Sequence, residues 1–315
     1  MEKRDKIFVA GHGGLAGSAI VRVLQTEGFT KIVTRERGQL DLRNEAAVAE
    51  FYAEENPDVV VLAAAKVGGI QANNDYPTEF LLENLRIQNI VIGGAQESGT
   101  RKLLFLASSC VYPRLASQPI SETALLAGQL DPANEAYAVA KIAGIKLCQA
   151  CAREYGSNFI SAVPTNLYGT HHFDLASSHV LPALIRKAHE AKTSGAREIV
   201  VWGSGEQRRE FLHAEDLAQA CLFLLLNYDS PEIINVGRGE DISIRELAEL
   251  VCDVVGFDGE LAWDRGKPDG TPRKLLDVSK IRSLGWQPKI PLREGIARTY
   301  EWLRENATPF CAVSV

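Results

Sequence analysis

Short apolar runs alternate with longer amphipathic stretches through the first half of the chain, and this pattern predicts repeating strand–helix units. Lys6-Ile-Phe-Val-Ala10 reads as a short buried strand, and the segment from Ser18 onward as an amphipathic helix. Lys31–Thr34 is a second strand, Asn44–Asn56 a helix and Asp58–Leu62 a third strand. A helix over roughly Phe80–Gln96 precedes an apolar strand starting at Leu103. Another helix carries Tyr137, and Phe159–Val163 is the next strand. Such alternation predicts an α/β fold: a doubly wound parallel sheet with helices on both faces. After about Thr165 the texture changes to loops rich in glycine, proline and histidine, between helices near His179–Thr193, Ala214–Leu226 and Ile244–Val255. Asp264–Lys274, rich in Gly, Pro and Lys, reads as a binding loop or an exposed linker.

The turn after the first strand reads Gly11-His12-Gly13-Gly14-Leu15-Ala16-Gly17. Strand, Gly-x-x-Gly-x-x-Gly, helix is the arrangement that sets a dinucleotide pyrophosphate against a helix N-terminus, as in Rossmann-like folds. A bare glycine pattern says little. Its position at the head of a repeating β/α pattern makes it a dinucleotide-binding candidate.

Tyr137 and Lys141 stand four residues apart in Glu-Ala-Tyr-Ala-Val-Ala-Lys. On a helix that spacing places a phenol and an ammonium on one face. A nearby cation favours phenolate, so the pair is expected to form a tyrosine proton donor of lowered pKa, suited to reducing a carbonyl. An ordinary surface helix would show the same spacing. Upstream, the apolar run Leu103–Ala107 ends in Ser108-Ser109-Cys110. A parallel strand ending in hydroxyls is either a plain turn or the ligand-facing edge of an open α/β sheet. Beside a Tyr/Lys pair and a glycine loop, Ser108 becomes a candidate third catalytic group. If the extended conformation persists, Cys110 alternates onto the same side as Ser108.

At 315 residues the chain can bury one large or two intimate cores, and its 46% hydrophobic and 23% charged residues are an ordinary globular mix. A net charge of −6 argues against a nucleic-acid or anionic-membrane surface, though not against a small anionic ligand held by local cations. No apolar run approaches a membrane span, and the glycine loop explains the apolar start better than a signal peptide does. Six scattered cysteines suit reduced thiols in a cytoplasmic protein. Cys148 and Cys151 form a lone C-x-x-C, read as helix-face residues, and no cluster has metal-ligand spacing.

Several segments together carry a family resemblance. The glycine loop, Leu62-Ala-Ala-Ala-Lys-Val-Gly-Gly69, Ser108-Ser-Cys-Val-Tyr-Pro113, Tyr137/Lys141, Pro164-Thr-Asn-Leu-Tyr-Gly169 and Gly203-x-Gly-x-x-x-Arg209-Glu-Phe-Leu-His213 resemble the extended short-chain dehydrogenase/reductases. Ala-Ala-Ala-Lys-Val-Gly-Gly-Ile, Ser-Ser-Cys, Ser178-His179-Val and Lys-Pro-Asp-Gly-Thr-Pro-Arg-Lys narrow this to the branch that acts on GDP-4-keto-6-deoxy-mannose. The resemblance runs from about residue 6 to residue 305. It implies an NADP-binding domain over 1–166, with a later contribution from about 213–236, and a substrate domain over 167–315.

The resemblance also implies roles. Tyr137 would protonate the C4 oxygen, Lys141 would assist it and hold the nicotinamide ribose, and Ser108 would hydrogen-bond the same oxygen. Cys110 as base and His179 as acid would invert C3 and C5 of the sugar; otherwise Cys110 is a buried small residue and His179 a helix-start histidine. NADP(H) would lie along Gly11–Gly17, Arg37, Asp41, Leu42, Leu106, Ala107, Ser108, Ser109, Lys141, Pro164, Thr165, Asn166, Leu167 and His179. The GDP-sugar would be held by Lys187, Trp202, Arg209, Asp269 and Lys274. His171, His172, His189 and His213 receive no role.

Cofactor choice is mixed on the residues: Arg35 and Arg37 suit a 2′-phosphate, whereas Glu36 could hold a ribose diol. NADPH is favoured, with Arg37 the main contact. Gly13 stands where some members of the family carry Arg, which removes one potential phosphate contact. Relatives dimerise through a four-helix bundle, which here would use the Phe80–Gln96 and Tyr137–Tyr155 helices. Rival readings are a GDP-sugar 4-reductase without epimerisation, a synthase of the 3,6-dideoxy sugar (the colitose type), a general UDP-sugar 4-epimerase and a non-catalytic dinucleotide sensor. Retention of the Ser/Tyr/Lys set argues against the sensor.

Overall fold

The computed structural model describes residues 1–171, 180–266 and 270–306, the side chain of Ile70 excepted. His179 and Asp269 therefore lie outside the described residues.

Six parallel strands form the central sheet in the order β2-β1-β3-β4-β5-β9. They are β1 (Ile7–Ala10), β2 (Ile32–Val33), β3 (Val59–Leu62), β4 (Lys102–Leu106), β5 (Asn158–Pro164) and β9 (Ile234–Val236). Strand order reverses between β1 and β3, the switch point at which ligands of doubly wound sheets bind. β3 is Val-Val-Val-Leu and completely buried, as a strand covered by helices on both faces must be.

The helices between these strands are α1 (Leu15–Thr26), α2 (Glu45–Glu55), α3 (Ile70–Asp75), α4 (Pro77–Glu97) and α5 (Glu135–Tyr155). Local chemistry sets their ends. The Asn44 side chain accepts from Ala47 N–H to start α2. Gly156, at φ 70°, takes the left-handed conformation that stops α5. The short α3 was not expected from the sequence.

Beyond β5 the chain adds β6 (Asn166–Tyr168), α6 (Val180–Ser194), β7 (Glu198–Trp202), β8 (Arg208–His213) and α7 (Ala214–Asn227). After β9 come β10 (Asp241–Ser243), α8 (Ile244–Val255), β11 (Glu260–Asp264), β12 (Arg273–Lys274), α9 (Ser279–Ser283) and α10 (Leu292–Asn306). β8 lies between β10 and β12 and also pairs with β6; β7 pairs with β11. α8 opens with a reciprocal capping box, Ser243 with Glu246.

Two hydrophobic cores result. The first surrounds the six-stranded sheet and recruits α7, β9 and Leu276, Val278, Ile281 and Trp286. The second packs α6, α8 and Ile296 of α10 around Tyr168, Ile199, Val201 and Phe211. Glu210 ties them together. Fully buried, its carboxylate accepts Gly239 N–H at 2.6 Å and Leu276 N–H at 3.0 Å, and its carbonyl accepts the Asn166 amide at 2.8 Å. Among the described residues no helix is long and apolar enough to cross a membrane.

Candidate functional site

All strands of the main sheet run the same way, so the C-terminal ends of β1, β3, β4 and β5 share one edge. At the β1 end, φ is 89° at Gly11, and a Cβ there would lie 2.5 Å from Ala64 N beside β3. A Cβ on Gly17 would lie 2.0 Å from the Gly11 carbonyl oxygen. Loop, helix and strand are packed backbone to backbone, as only glycine allows. Gly13 has open space around its Cα, and no side chain caps α1. The first N–H groups of a twelve-residue helix thus point out of the glycine turn, a donor set that suits a pyrophosphate.

At the β2 end, Glu36 is engaged by His12 at 3.0 Å and Arg35 by Glu55. Arg43 grips Asp41 through two contacts, at 2.9 and 2.7 Å, and holds that carboxyl down to about 2. Arg37 is exposed and shares an ion pair with none of the described residues, although its charge also favours ionised Asp41. A cofactor bearing a 2′-phosphate fits this arrangement: the glutamate that could hold a ribose diol is turned to a histidine, and an arginine stands exposed.

At the β4 end the extended conformation that would alternate Cys110 onto the side of Ser108 does not persist. The strand stops at Leu106, and Ser108 begins a 3-10 turn, Ser109–Val111, with its Oγ accepting Cys110 N–H at 3.4 Å. The fold still brings the two together with α5. Lys141, on the buried face of α5, donates to the Leu106 carbonyl at 2.8 Å and lies 5.8 Å from the Tyr137 ring centroid. Phe80 of α4 meets Tyr137 edge to face at 6.4 Å.

The electrostatics correct one expectation. Burial pushes the Tyr137 phenol up, and the Cys110 sulfur beside it adds to that rise; Lys141, turned to the Leu106 carbonyl, does not lower it. Burial lowers Lys141 to about 8, against the opposing influence of Cys110. Burial also raises the Cys110 thiol, and Lys274, the Ser108 hydroxyl and Lys141 pull it back. Tyr137 is therefore a neutral phenol holding its proton, next to a cysteine whose thiol Lys274 and Lys141 pull down.

Lys274 was expected only as a ligand of the GDP moiety, and its charge also acts on Cys110; its strand β12 pairs with β8, and the next residue, Leu275, accepts Ile120 N–H at 2.8 Å. The strand pairing sets Lys274 opposite Arg209. Lys187 and Trp202 form a second group: Lys187 Nζ donates to the Val200 carbonyl at 2.8 Å and lies 5.8 Å from the indole. Thr165 and Asn166 spend their side chains on the Glu210 carbonyl, which leaves their backbones for any cofactor. Leu106, Ala107 and Ser109 line the buried end of β4, while Leu15, Ala16 and Leu42 pack against the first core. Sequence reading missed three residues: Asn84, whose buried amide brackets the backbone N–H and C=O of Lys66 at 2.9 and 3.0 Å; Phe80; and Asp131. Asp131-Pro132 before the Tyr137 helix was a legible helix-start signal.

A sequence profile of the NAD dependent epimerase/dehydratase family matches residues 7–237. The chain belongs to this family. The family member GDP-L-fucose synthase 1 of Arabidopsis thaliana is 58% identical over 97% of this chain and 95% of that protein. GDP-L-fucose synthase of Escherichia coli K12 is 49% identical over 98% of this chain and 99% of that protein. Among solved structures of the family, a GDP-L-fucose synthetase from Naegleria fowleri bound to NADP superposes with a TM-score of 0.89 at 31% identity, covering 97% of this chain and 96% of that one.

Proposed function

We propose that this family member converts GDP-4-keto-6-deoxy-D-mannose to GDP-L-fucose, by epimerisation at C3 and C5 followed by reduction at C4 with NADPH. The observation that carries the reading is the gathering of Ser108, Cys110, Tyr137 and Lys141 at the edge of the main sheet that also bears the glycine turn, with Lys274 of β12 acting on Cys110. The relatives named above carry the same activity in their names.

The C4 ketone acidifies the protons on C3 and C5. Cys110, as thiolate, removes a proton to leave an enolate; Lys274 and Lys141 offset the cost of that buried negative charge. His179 is the acid that returns a proton to the opposite face. Bound NADPH supplies the hydride for C4. Tyr137 gives its phenolic proton to the C4 oxygen, and Ser108 donates a hydrogen bond to the same atom. Gly11–Gly17 hold the pyrophosphate, Arg37 the 2′-phosphate and Lys141 the nicotinamide ribose. Lys187, Trp202, Arg209, Asp269 and Lys274 hold the GDP moiety.

The same reading makes the protein a cytoplasmic homodimer. The thiols of Cys110, Cys148, Cys151, Cys221 and Cys252 are all free. Leu82 of α4 and Val139 of α5 are exposed on helices that pack against each other, a face suited to a second copy.

The test follows NADPH absorbance with GDP-4-keto-6-deoxy-D-mannose and identifies the product by NMR. Oxidation with inversion at C3 and C5 is the expected result. Oxidation without inversion would reduce the protein to a 4-reductase, and no oxidation would overturn the substrate.

A further inference from the structure

Asp131 stands in the turn that feeds the Tyr137 helix and belongs to neither core. Its Oδ1 accepts Ala133 N–H at 3.1 Å, which caps the 3-10 turn Pro132–Asn134 running straight into α5. Its Oδ2 accepts the Thr271 hydroxyl at 2.9 Å. Thr271 lies two residues ahead of β12, on which Lys274 faces Arg209 across the pairing with β8. One carboxylate thus joins the turn that leads into the Tyr137 helix to the segment that carries Lys274 and pairs it with Arg209 of β8. The charges around it form a closed set. Lys274 feels Cys110, Arg209 and Asp131; Arg209 feels Asp131; Cys110 feels Lys274 and Lys141; and Tyr137 feels Cys110.

We propose that Asp131 is a positioning residue for the epimerisation, tethering the Thr271–Lys274 strap to the turn before Tyr137 so that the Lys274 ammonium stays beside Cys110. The inference rests on the functional reading above. Burial and the Arg209 charge both favour an uncharged Lys274 amine, while Asp131 and a Cys110 thiolate favour the ammonium. Without the carboxylate, Lys274 gives up its proton at lower pH. The Cys110 thiolate then loses the largest of its compensating partners.

The experiment measures deuterium entry at C3 and C5 of GDP-4-keto-6-deoxy-D-mannose in D2O, with NADP+ in place of NADPH, as a function of pH. Wild type, D131N and T271V are compared. Asparagine keeps an oxygen for the Ala133 cap, removes the charge and turns an NH2 toward the Thr271 hydroxyl, which can accept from it in place of donating. D131N is expected to lower the maximal exchange rate about tenfold and to move the alkaline limb by about half a pH unit or more toward acid. Its KM for the sugar nucleotide should change little, because losing an anion near Arg209 favours an anionic ligand while losing the Lys274 ammonium opposes it. T271V keeps the charge and loses the tether; exchange should fall roughly two- to fivefold with the limb in place.

A D131N enzyme with wild-type rate and limb overturns the proposal, as does a lowered rate with no movement of the limb. A raised KM with intact kcat would make Asp131 a binding residue and overturn it too. Should D131N fail to fold, T271V decides: slowed exchange at unchanged KM supports the tether, and wild-type exchange overturns it. A wild-type enzyme that exchanges nothing overturns the functional reading and this inference with it; wild-type exchange beside an unaltered D131N overturns the inference alone.

Discussion

Replacing Glu210 by Gln is expected to destabilise the fold by about 2–4 kcal/mol, although the two side chains have nearly the same shape. The carboxylate presents one oxygen to Gly239 N–H and the other to Leu276 N–H, in a site with no solvent contact. An amide can satisfy one of them; its NH2 must then face the other N–H, donor against donor. Two buried unpaired donors cost about 1–3 kcal/mol each. Against this, the neutral amide escapes the desolvation that raises the Glu210 pKa, which brings the net into the stated range. Rotating the amide exchanges one unpaired N–H for the other and recovers nothing. Glu210→Ala should cost more, since it orphans both N–H groups and leaves a cavity. The assay is urea unfolding followed by tryptophan fluorescence, with Trp286 reporting from the first core and Trp263 packed against the second. A Gln variant within about 0.5 kcal/mol of wild type at unchanged m-value would refute the argument that both oxygens are used as acceptors.

Tyr137→Phe should slow NADPH oxidation by about two to four orders of magnitude while deuterium exchange at C3 and C5 stays within a few-fold, because only reduction needs the phenolic proton; parallel loss of both would deny that division. Arg37→Ala should raise the KM for NADPH about tenfold or more and leave that for NADH nearly unchanged, and equal effects would remove Arg37 from the 2′-phosphate. Burial brings Lys141 down to about 8. Since kcat/KM for NADPH reports the free enzyme, it should fall as pH rises through that value and the ammonium proposed to hold the ribose is lost. A plateau persisting to about pH 10 would show that Lys141 keeps its ordinary affinity for protons.

The parts of the site legible in the sequence are those set by local geometry. The turn from β1 into α1 is written in glycines because Gly11 and Gly17 touch backbone. Tyr137 and Lys141 share a face because a helix repeats every 3.6 residues. What escaped depends on chain crossings. Lys274 acts on Cys110 through chain crossings, the two-residue β12 pairing with β8 and Leu275 accepting Ile120 N–H, and neither crossing leaves a periodic trace. Ser108 and Cys110 would have shared a side had the strand continued, but the Ser108 hydroxyl accepts the Cys110 N–H where the chain turns. The pKa of Tyr137 went the other way for a similar reason. A four-residue spacing shows that two side chains share a face; it does not show that Lys141 is already committed to the carbonyl of Leu106.

The route of the chain between its two cores has an engineering consequence. β8 lies among the strands of the later half, yet it runs at His213 directly into α7, which packs on α1. The chain returns again for β9 and for Leu276–Trp286. A fragment ending near residue 166 would bare the edge of β5 that β9 covers and the apolar side of α1 that α7 covers. The first 166 residues are therefore not a cassette to be cut out and joined to another protein. A chimera built on this scaffold has to exchange loops, such as the strap ahead of β12, and leave the crossings intact.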